Sequence, residues 1–381
     1  MTKPAISEIE TFAAAKLAQL DALNIRRELT PSIRTADAGI TRGGRAMISF
    51  CDNDYLGLSN HPRVVAAAVE ATQLHGAGAG AARLVTGDHP LNHALEMKLS
   101  AMKRLPATRV FGSGYLANIG TIPVLAARDD LIVIDELAHS CMYAGALLSG
   151  ADVAAFPHND VAVARRLLSR RRGARGLLLT ETVFSMDGDL APLQDLSAVC
   201  AETGSWLMTD DAHGLGVVEI DNPAPIQMGT LSKSAGAYGG YVAGPAAFID
   251  LLTSRARSFV YTTGLPPGVL ASALAALEIM EEQPELGAHA LANARLFGQL
   301  VGCPSVESAI VPIIVGSAEL ALAASAQLAN DGFVVTAIRP PTVPDGAARL
   351  RFTFSALHAE GDIRRLAGSV VSILSKEVVR Q

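Results

Sequence analysis

Several features that mark secreted, metal-binding, nucleic-acid-binding or membrane proteins are scarce in this sequence. It has four cysteines among 381 residues, and none of them forms a Cys-x-x-Cys pair. We therefore expect reduced thiols rather than a disulfide framework or a zinc site. The net charge of −6 provides no basic surface for nucleic acid. The longest apolar stretch, about 266–280, is interrupted by Gly268 and Glu278, so no segment is expected to span a membrane.

The overall amino-acid composition favours a buried α/β core. Half of the residues are hydrophobic, 18% are charged and 34 are glycine, as in proteins with many tight turns between strands and helices. The length predicts one large domain and one smaller domain. Glu8 and Glu10 stand where a signal peptide would need an apolar run, so we expect a cytoplasmic location.

The N-terminal region differs in pattern from the rest of the chain. Residues 5–24 have apolar side chains at helical spacing and predict an amphipathic helix. Residues 25–46 are polar, contain five arginines and are interpreted as an irregular arm. We therefore predict that 1–46 is an N-terminal helix followed by an arm.

Residues 47–265 alternate between strand and helix patterns. The runs 131–135, 176–181 and 205–210 are apolar at consecutive positions, which is typical of parallel strands covered by helices on both faces. This region is predicted to form a large α/β domain with a mostly parallel central sheet. The helices predicted around it are 62–75, 90–103, 114–127, 159–171 and 193–203.

Residues 266–381 are predicted to form a smaller C-terminal α+β domain. A long helical stretch runs from Pro266 to about 303 and breaks near Pro284. The other predicted elements are strands at 308–315, 333–338 and 349–354 and helices at 317–330 and 360–377.

Lys233 is the most informative residue, because its neighbours are those that an enzyme using pyridoxal phosphate needs. It lies among small and hydroxyl-bearing residues in Gly229-Thr-Leu-Ser-Lys-Ser-Ala-Gly236, downstream of Asp210 and His213. A lysine in close packing can bond covalently to the cofactor, and an aspartate can keep the pyridine nitrogen protonated. A histidine can hydrogen-bond the phenolic oxygen. A solvated surface lysine would gain nothing from such neighbours.

Three acids end successive predicted strands, namely Asp135, Glu181 and Asp210. Ligands of open α/β sheets bind beyond the carboxyl ends of the strands, so these acids mark the expected site. Asp211 is also available, and one of the two adjacent aspartates could instead be a helix cap or a turn residue. We assign the ring nitrogen to Asp210 because it lies three residues before His213.

Other motifs favour anion binding. Gly112–Asn118 follows a short strand and opens a helix, whose first N–H groups can bind a phosphate. Gly76–Gly80 follows a helix instead of a strand, which indicates a helix end and a loop rather than a dinucleotide site. Arg349 and Arg351 share one face of a strand that is either solvated or holds a substrate carboxylate. His139 is either structural or placed to stack on a cofactor ring and donate a proton.

Together these residues resemble the α-oxoamine synthases, which are pyridoxal phosphate enzymes of fold type I with an aminotransferase-like architecture. The resemblance extends from Asn53 to the C-terminal helix. It rests on Arg83-Leu-Val-Thr-Gly87, Gly114-Tyr-Leu-Ala-Asn118, Thr182-Val-Phe-Ser-Met-Asp-Gly-Asp189, Asp210-Asp-Ala-His-Gly-Leu-Gly216, Thr230-Leu-Ser-Lys233 and Tyr261-Thr-Thr-Gly-Leu-Pro-Pro267.

The resemblance implies a role for each matching residue. Lys233 bonds to the cofactor and acts with His139, Asp210 and His213 in catalysis. Arg351 binds the substrate carboxylate, Thr353 lines the acyl-substrate site, and Arg26 is preferred over Arg27 as an acyl-substrate contact. The predicted cofactor-binding residues also include Gly114, Tyr115, Glu181, Ser185 and Thr230, with Thr262 or Thr263 reaching the phosphate of a neighbouring subunit.

The resemblance also implies substrates and assembly. The stretch 336–353 is similar to the branch that condenses L-alanine with a pimeloyl thioester, carried by coenzyme A or by acyl carrier protein. A glycine C-acyltransferase of the same family is the alternative. A homodimer with shared active sites is expected, with no metal, nucleic-acid or membrane partner. Two departures from the family pattern are a short segment at 217–227 and Gly264, where serine is frequent.

Overall fold

The computed structural model describes residues 4–171, 175–303 and 305–378. In chain order the strands are β1 (Ile33–Arg34), β2 (Gly39–Arg42), β3 (Arg45–Ser49), β4 (Ala107–Phe111), β5 (Leu131–Asp135), β6 (Asp152–Phe156), β7 (Gly176–Glu181), β8 (Trp206–Asp210), β9 (Ile226–Thr230), β10 (Gly240–Gly244), β11 (Ile310–Gly316), β12 (Phe333–Val334), β13 (Thr336–Ile338) and β14 (Ala348–Thr353).

The helices are α1 (Pro4–Ala22), α2 (Pro62–His75), α3 (Pro90–Lys103), α4 (Gly114–Leu125), α5 (Ser140–Ser149), α6 (Val161–Ser169), α7 (Leu193–Thr203), α8 (Ala246–Arg255), α9 (Arg257–Val260), α10 (Pro267–Glu282), α11 (Glu285–Val301), α12 (Ala318–Asn330) and α13 (Glu360–Val378). Within the described ranges, no helix combines the length and apolar character needed to cross a membrane.

The central sheet has the strand order β4-β10-β9-β8-β7-β5-β6, and only β10 runs antiparallel to its neighbours. Strand β7 is buried along its whole length. Leu177 and Leu179 pack in the cluster that includes α4 and α5, whereas Leu178 packs against α6 and α7 on the opposite face. The predicted α/β fold with a large, mostly parallel sheet between helical layers is confirmed.

A smaller region completes the fold. Strands β11, β14 and β13 form an antiparallel sheet in that order, and their apolar side chains pack with α11, α12 and α13. The helices predicted at 62–75, 90–103 and 193–203 match α2, α3 and α7. The domain boundaries at residues 46 and 265 stay predictions.

The irregular arm predicted at 25–46 was partly wrong. Within and just beyond that segment β1, β2 and β3 pair in antiparallel fashion, and β12 adds to β3 in parallel. The helix at the N-terminus is present, but Ile9 and Phe12 are both 66% exposed in the single chain. The predictions also lacked α5, α8, β6, β9 and β10.

Candidate active site

Lys233 lies in the loop after β9 and points its amine at His213. The Nζ atom is 2.7 Å from His213 Nε2, and no ion pair to Lys233 occurs in the described part of the chain. Burial lowers the pKa of Lys233 to about 8, although the charge of Asp210 opposes that shift. The amine is therefore uncharged far more often than that of an ordinary lysine, as covalent chemistry requires.

Gly236 fixes the path of the lysine loop. Its φ of +59° lies in the left-handed region, and a Cβ atom here would overlap the backbone nitrogen of Ser59. The loop therefore packs directly on the backbone of the Leu58–Asn60 turn. Only glycine satisfies both the backbone angle and this close approach.

Asp210 ends β8 and faces the same site. Its Oδ2 atom accepts a hydrogen bond from Asn118 Nδ2 at 2.8 Å, and Oδ1 accepts one from the backbone N–H of Ala212 at 2.9 Å. Burial raises the pKa of this carboxyl group, while the charge of Lys233 and these donors oppose the rise. The two donors favour the ionised form, which a pyridinium partner requires.

The adjacent carboxylate, that of Asp211, is paired with Lys103. Asp211 Oδ2 lies 2.6 Å from Lys103 Nζ, and Asp211 Oδ1 accepts a hydrogen bond from Thr182 Oγ1 at 2.6 Å. Both side chains of the ion pair are nearly buried. This arrangement supports the choice of Asp210 rather than Asp211 for the ring nitrogen.

His213 is held on both ring nitrogens. Its Nδ1 atom is 2.7 Å from the Tyr55 hydroxyl group, while Nε2 contacts Lys233. Burial, and then the charges of Lys233 and Arg351, lower the pKa of His213 well below its usual value. The imidazole is therefore neutral and can form a hydrogen bond without adding charge to the site. Tyr55 was not among the predicted site residues.

His139 caps the start of α5 with its side chain. Its Nδ1 atom accepts a hydrogen bond from the backbone N–H of Cys141 at 3.3 Å and lies 2.9 Å from Cys141 Sγ. Burial lowers the pKa of His139 despite the nearby charge of Asp210. The neutral ring thus carries its proton on Nε2. Asn118 Nδ2 contacts both Cys141 Sγ and Asp210, so it links the two side chains.

Glu181 ends β7 beside Asp210, with which it pairs in the strand register. Its Oε2 atom accepts a hydrogen bond from the backbone N–H of Ser185 at 3.2 Å, and Oε1 has no partner among the described residues. Burial and the charge of Asp210 raise the pKa of Glu181 to about 8. Near neutral pH this buried carboxyl group therefore holds a proton.

Small residues bring three backbone segments together at the start of α4. A Cβ atom at Gly240 would overlap the backbone nitrogen of Gly114, and one at Gly114 would lie 3.4 Å from Thr230 Cβ. Ser113 caps the helix by accepting a hydrogen bond from Leu116 N. This helix N-terminus beside the Thr230 hydroxyl group suits a phosphate. Tyr115 is 50% exposed at the same helix end.

Arg351 lies buried on β14, with its guanidinium group directed at the large sheet. Its Nε atom donates to the carbonyl oxygen of Ser185, and both terminal nitrogens lie near Asn53 Oδ1 at 3.3 and 3.4 Å. Arg349 instead forms an ion pair with Asp187. Arg351 is therefore the better candidate for a substrate carboxylate. Thr353 donates its hydroxyl proton to the carbonyl oxygen of Asp52.

The structure does not bring the remaining predicted residues to this cluster. Arg26 is exposed and pairs with Asp21 at 2.9 Å, and Arg27 donates to Thr342. Thr262 donates its hydroxyl proton to the carbonyl oxygen of Ser258. Thr263 forms a β-bridge with Ala82. Their proposed contacts with acyl substrate or with a second subunit stay predictions.

The cluster fits pyridoxal phosphate. An amine of lowered pKa, a doubly hydrogen-bonded carboxylate and a neutral imidazole converge at the carboxyl ends of the strands. Lys233 would bond to the cofactor, Asp210 would face its ring nitrogen and His213 its phenolic oxygen. The start of α4 and Thr230 would hold the phosphate.

Comparison with known proteins identifies the class. The family model for aminotransferase class I and II matches residues 45–370. A serine palmitoyltransferase variant from S. paucimobilis, solved with a PLP–myriocin aldimine, has a TM-score of 0.91 at 25% identity and covers 98% of this chain and 99% of its own. Fold type I and pyridoxal phosphate as the cofactor, both predicted from the sequence, are confirmed.

Two curated relatives narrow the assignment. The 8-amino-7-oxononanoate synthase of Methylobacterium nodulans is 56% identical over 94% of this chain and 95% of its own length. The enzyme of the same name from Methylobacterium radiotolerans is 54% identical, covering 97% of this chain and 100% of its own. The chain belongs to the 8-amino-7-oxononanoate synthase family, as the resemblance of its motifs predicted.

Proposed function

We propose that this protein condenses L-alanine with a pimeloyl thioester and releases carbon dioxide, the free thiol and 8-amino-7-oxononanoate, an intermediate of biotin biosynthesis. The observation that carries the proposal is the convergence of Lys233, Asp210 and His213 in a chain at least 54% identical to two synthases of that name. When bound, pyridoxal phosphate supplies an electron sink for the negative charge that develops at the alanine Cα atom.

Lys233 is the general base for the Cα proton. A pKa of about 8 leaves part of the amine uncharged near neutral pH, so it can accept a proton from carbon. Proton transfer by such a positioned group contributes roughly 10²–10⁴-fold in rate. His213 lies 2.7 Å from the amine and keeps it directed into the site.

Asp210 would keep the ring nitrogen of the bound cofactor protonated. Its hydrogen bonds from Asn118 and Ala212 favour a carboxylate that can hold a proton on that nitrogen. The Lys103 ammonium group neutralises Asp211 next to it. Asp210 would therefore face the ring of the bound cofactor with no second unpaired negative charge on the adjacent residue.

Arg351 binds the carboxylate of alanine, and His139 acts on the acyl group. The guanidinium fork of Arg351 can hold a carboxylate with two hydrogen bonds. His139 can donate its Nε2 proton to the developing keto oxygen or to the carboxylate that is lost. Thr353 and Arg26 are proposed to contact the acyl substrate.

We propose a homodimer as the active assembly. A surface groove of about 1010 Å³ is lined by apolar residues of α4 and by Tyr261, which is 77% exposed. Leu148 on the same groove is 65% exposed, and Thr262 and Thr263 follow Tyr261 directly. A second copy seated here would cover these side chains and bring the two threonines to its partner's phosphate site. Sedimentation analysis of the wild-type protein and of Leu148→Glu tests this assembly.

Product analysis tests the reaction. Purified protein with pyridoxal phosphate and L-alanine is supplied with pimeloyl coenzyme A or with pimeloyl acyl carrier protein, and 8-amino-7-oxononanoate is sought by mass spectrometry. The two donors decide which thioester is used. Glycine with short acyl thioesters is the matched comparison, and turnover of glycine without turnover of alanine would favour a glycine C-acyltransferase. The cytoplasmic location stays a prediction.

A further inference from the structure

His158 lies beyond the Lys233 cluster and connects three strands at the same edge of the sheet. It follows β6, and its Nδ1 atom is 3.1 Å from Asp135 Oδ1 at the end of β5. Its Nε2 atom is 2.7 Å from Asp189 Oδ2 in the segment that follows β7. Its backbone N–H donates to Glu136 Oε1 at 3.0 Å.

Two carboxylates make His158 an imidazolium. Each ring nitrogen faces an acid, so both must carry protons to donate. Burial alone would lower the pKa of His158, but the hydrogen bonds to Asp135 and Asp189 outweigh it and raise the pKa to about 10. The ring also packs perpendicular to the ring of Phe184, with centroids 4.3 Å apart.

The segment that His158 holds is 184–189. On one side Asp189 accepts from His158 and also from Asn159 Nδ2 at 3.0 Å. On the other side, residues of the C-terminal region hold the same segment through hydrogen bonds and an ion pair. These contacts are Arg351 Nε to the Ser185 carbonyl, Arg349 to Asp187, and Ser308 Oγ to the Gly188 carbonyl. The segment is thus clamped between the central sheet and β14.

We propose that His158 is a positioning residue that fixes segment 184–189, and through the Ser185 carbonyl orients Arg351 toward the alanine carboxylate. The orienting effect on alanine rests on the function proposed above, whereas the fixing of the segment does not. The Ser185 carbonyl is the partner of Arg351 Nε, while Asn53 Oδ1 lies near the two terminal nitrogens. Movement of the carbonyl would therefore tilt the guanidinium group, and small misplacements in binding sites are costly.

The test compares His158→Gln with a matched control, His93→Gln. Like His158, His93 contacts a carboxylate, with Asp88 Oδ2 at 2.7 Å. Unlike His158, it has only this one carboxylate partner in the part of the chain that the structure describes, and its side chain is 58% exposed. In the holoenzyme, His158→Gln should speed hydrogen exchange in segment 184–189 and raise the KM for L-alanine about tenfold with kcat changed much less. The control should leave both quantities at wild-type values.

A second variant and a double-mutant cycle keep the inference falsifiable. Asp189→Asn, which keeps the shape but removes a charge, should reproduce both effects. Combining His158→Gln with Arg351→Lys should raise the KM for alanine less than the product of the single effects, because both act through one guanidinium group. Multiplicative effects in the cycle would overturn the positioning role, and so would an increase in exchange no greater in segment 184–189 than in the rest of the protein.

The exchange measurement needs no substrate, so the two proposals fail separately. Wild-type protein that makes no product from alanine would refute the proposed function. Unchanged exchange in segment 184–189 of folded His158→Gln would refute the positioning of the segment, whatever the enzyme's substrate.

Discussion

The lowered pKa of Lys233 predicts how the apoprotein should capture its cofactor as pH changes. Only the uncharged amine attacks an aldehyde, and a pKa of about 8 leaves roughly 9% of the amine uncharged at pH 7. An ordinary lysine with a pKa of 10.5 would be about 0.03% uncharged at the same pH. Burial of this side chain therefore increases the reactive form about 300-fold.

Rapid mixing of apoprotein with pyridoxal phosphate measures this quantity directly. The bimolecular rate of covalent attachment, followed by the absorbance of the bound cofactor, should rise with pH and level off above an inflection near 8. Nα-acetyl-lysine in the same buffers is the control, because it corrects for ionisation of the cofactor itself. Lys233→Ala should show no covalent phase.

A charge-removing variant sharpens the test. The Asp210 carboxylate raises the pKa of Lys233, so Asp210→Asn should move the inflection to a lower pH. An inflection near the ordinary lysine value in the wild type, or a shift to higher pH in the variant, would refute the electrostatic account of this site.

Three further predictions concern Arg351, Lys103 and His158. Arg351→Lys keeps the positive charge but cannot form two parallel hydrogen bonds to a carboxylate. Steady-state kinetics should therefore show a KM for alanine about tenfold higher or more. Lys103→Met leaves the buried Asp211 charge unpaired and should lower the free energy of unfolding in urea by about 3–5 kcal/mol. The control for this variant is Arg165→Met, which breaks an exposed ion pair with Glu202. It should lower the free energy of unfolding by about 1 kcal/mol or less. The raised pKa of His158 gives stability that is complete below pH 6.5 and is lost as pH rises through about 10. The difference in melting temperature between the wild type and His158→Gln should become smaller as pH rises across that range. A difference that stays constant would contradict the assignment of a positive charge to His158.

Local patterns predicted much of the sheet and the centre of the site. Runs such as 176–181 place side chains on both faces of the sheet, and all of these residues are buried. Consecutive apolar residues indicate a strand that helices cover on both faces. Lys233, Asp210 and His213 could be found because the loop after β9 and the end of β8 are neighbours in both sequence and sheet. The choice of Asp210 over Asp211 rested on spacing, and the Lys103 pair now gives it a physical reason.

Other contacts depend on partners that are distant in the chain. Tyr55 meets His213 across 158 residues, and Asn118 meets Asp210 across 92. Neither residue type carries a local signal for such a contact. Strands β1–β3 were missed because they are short and polar, and because β12, which extends their sheet, lies far along the chain. Arg26 was selected by resemblance alone, and its side chain contacts Asp21 here.

The close packing at Gly236 has a consequence for engineering this enzyme. A library that diversifies the residues around Lys233 to accept new amino acids would lose its nucleophile's alignment in nearly every member that replaces this glycine. Randomisation is better directed to Tyr238, which is 54% exposed in the single chain. At Gly236, the backbone of Ser59 in a different segment determines which residues the lysine loop can accept.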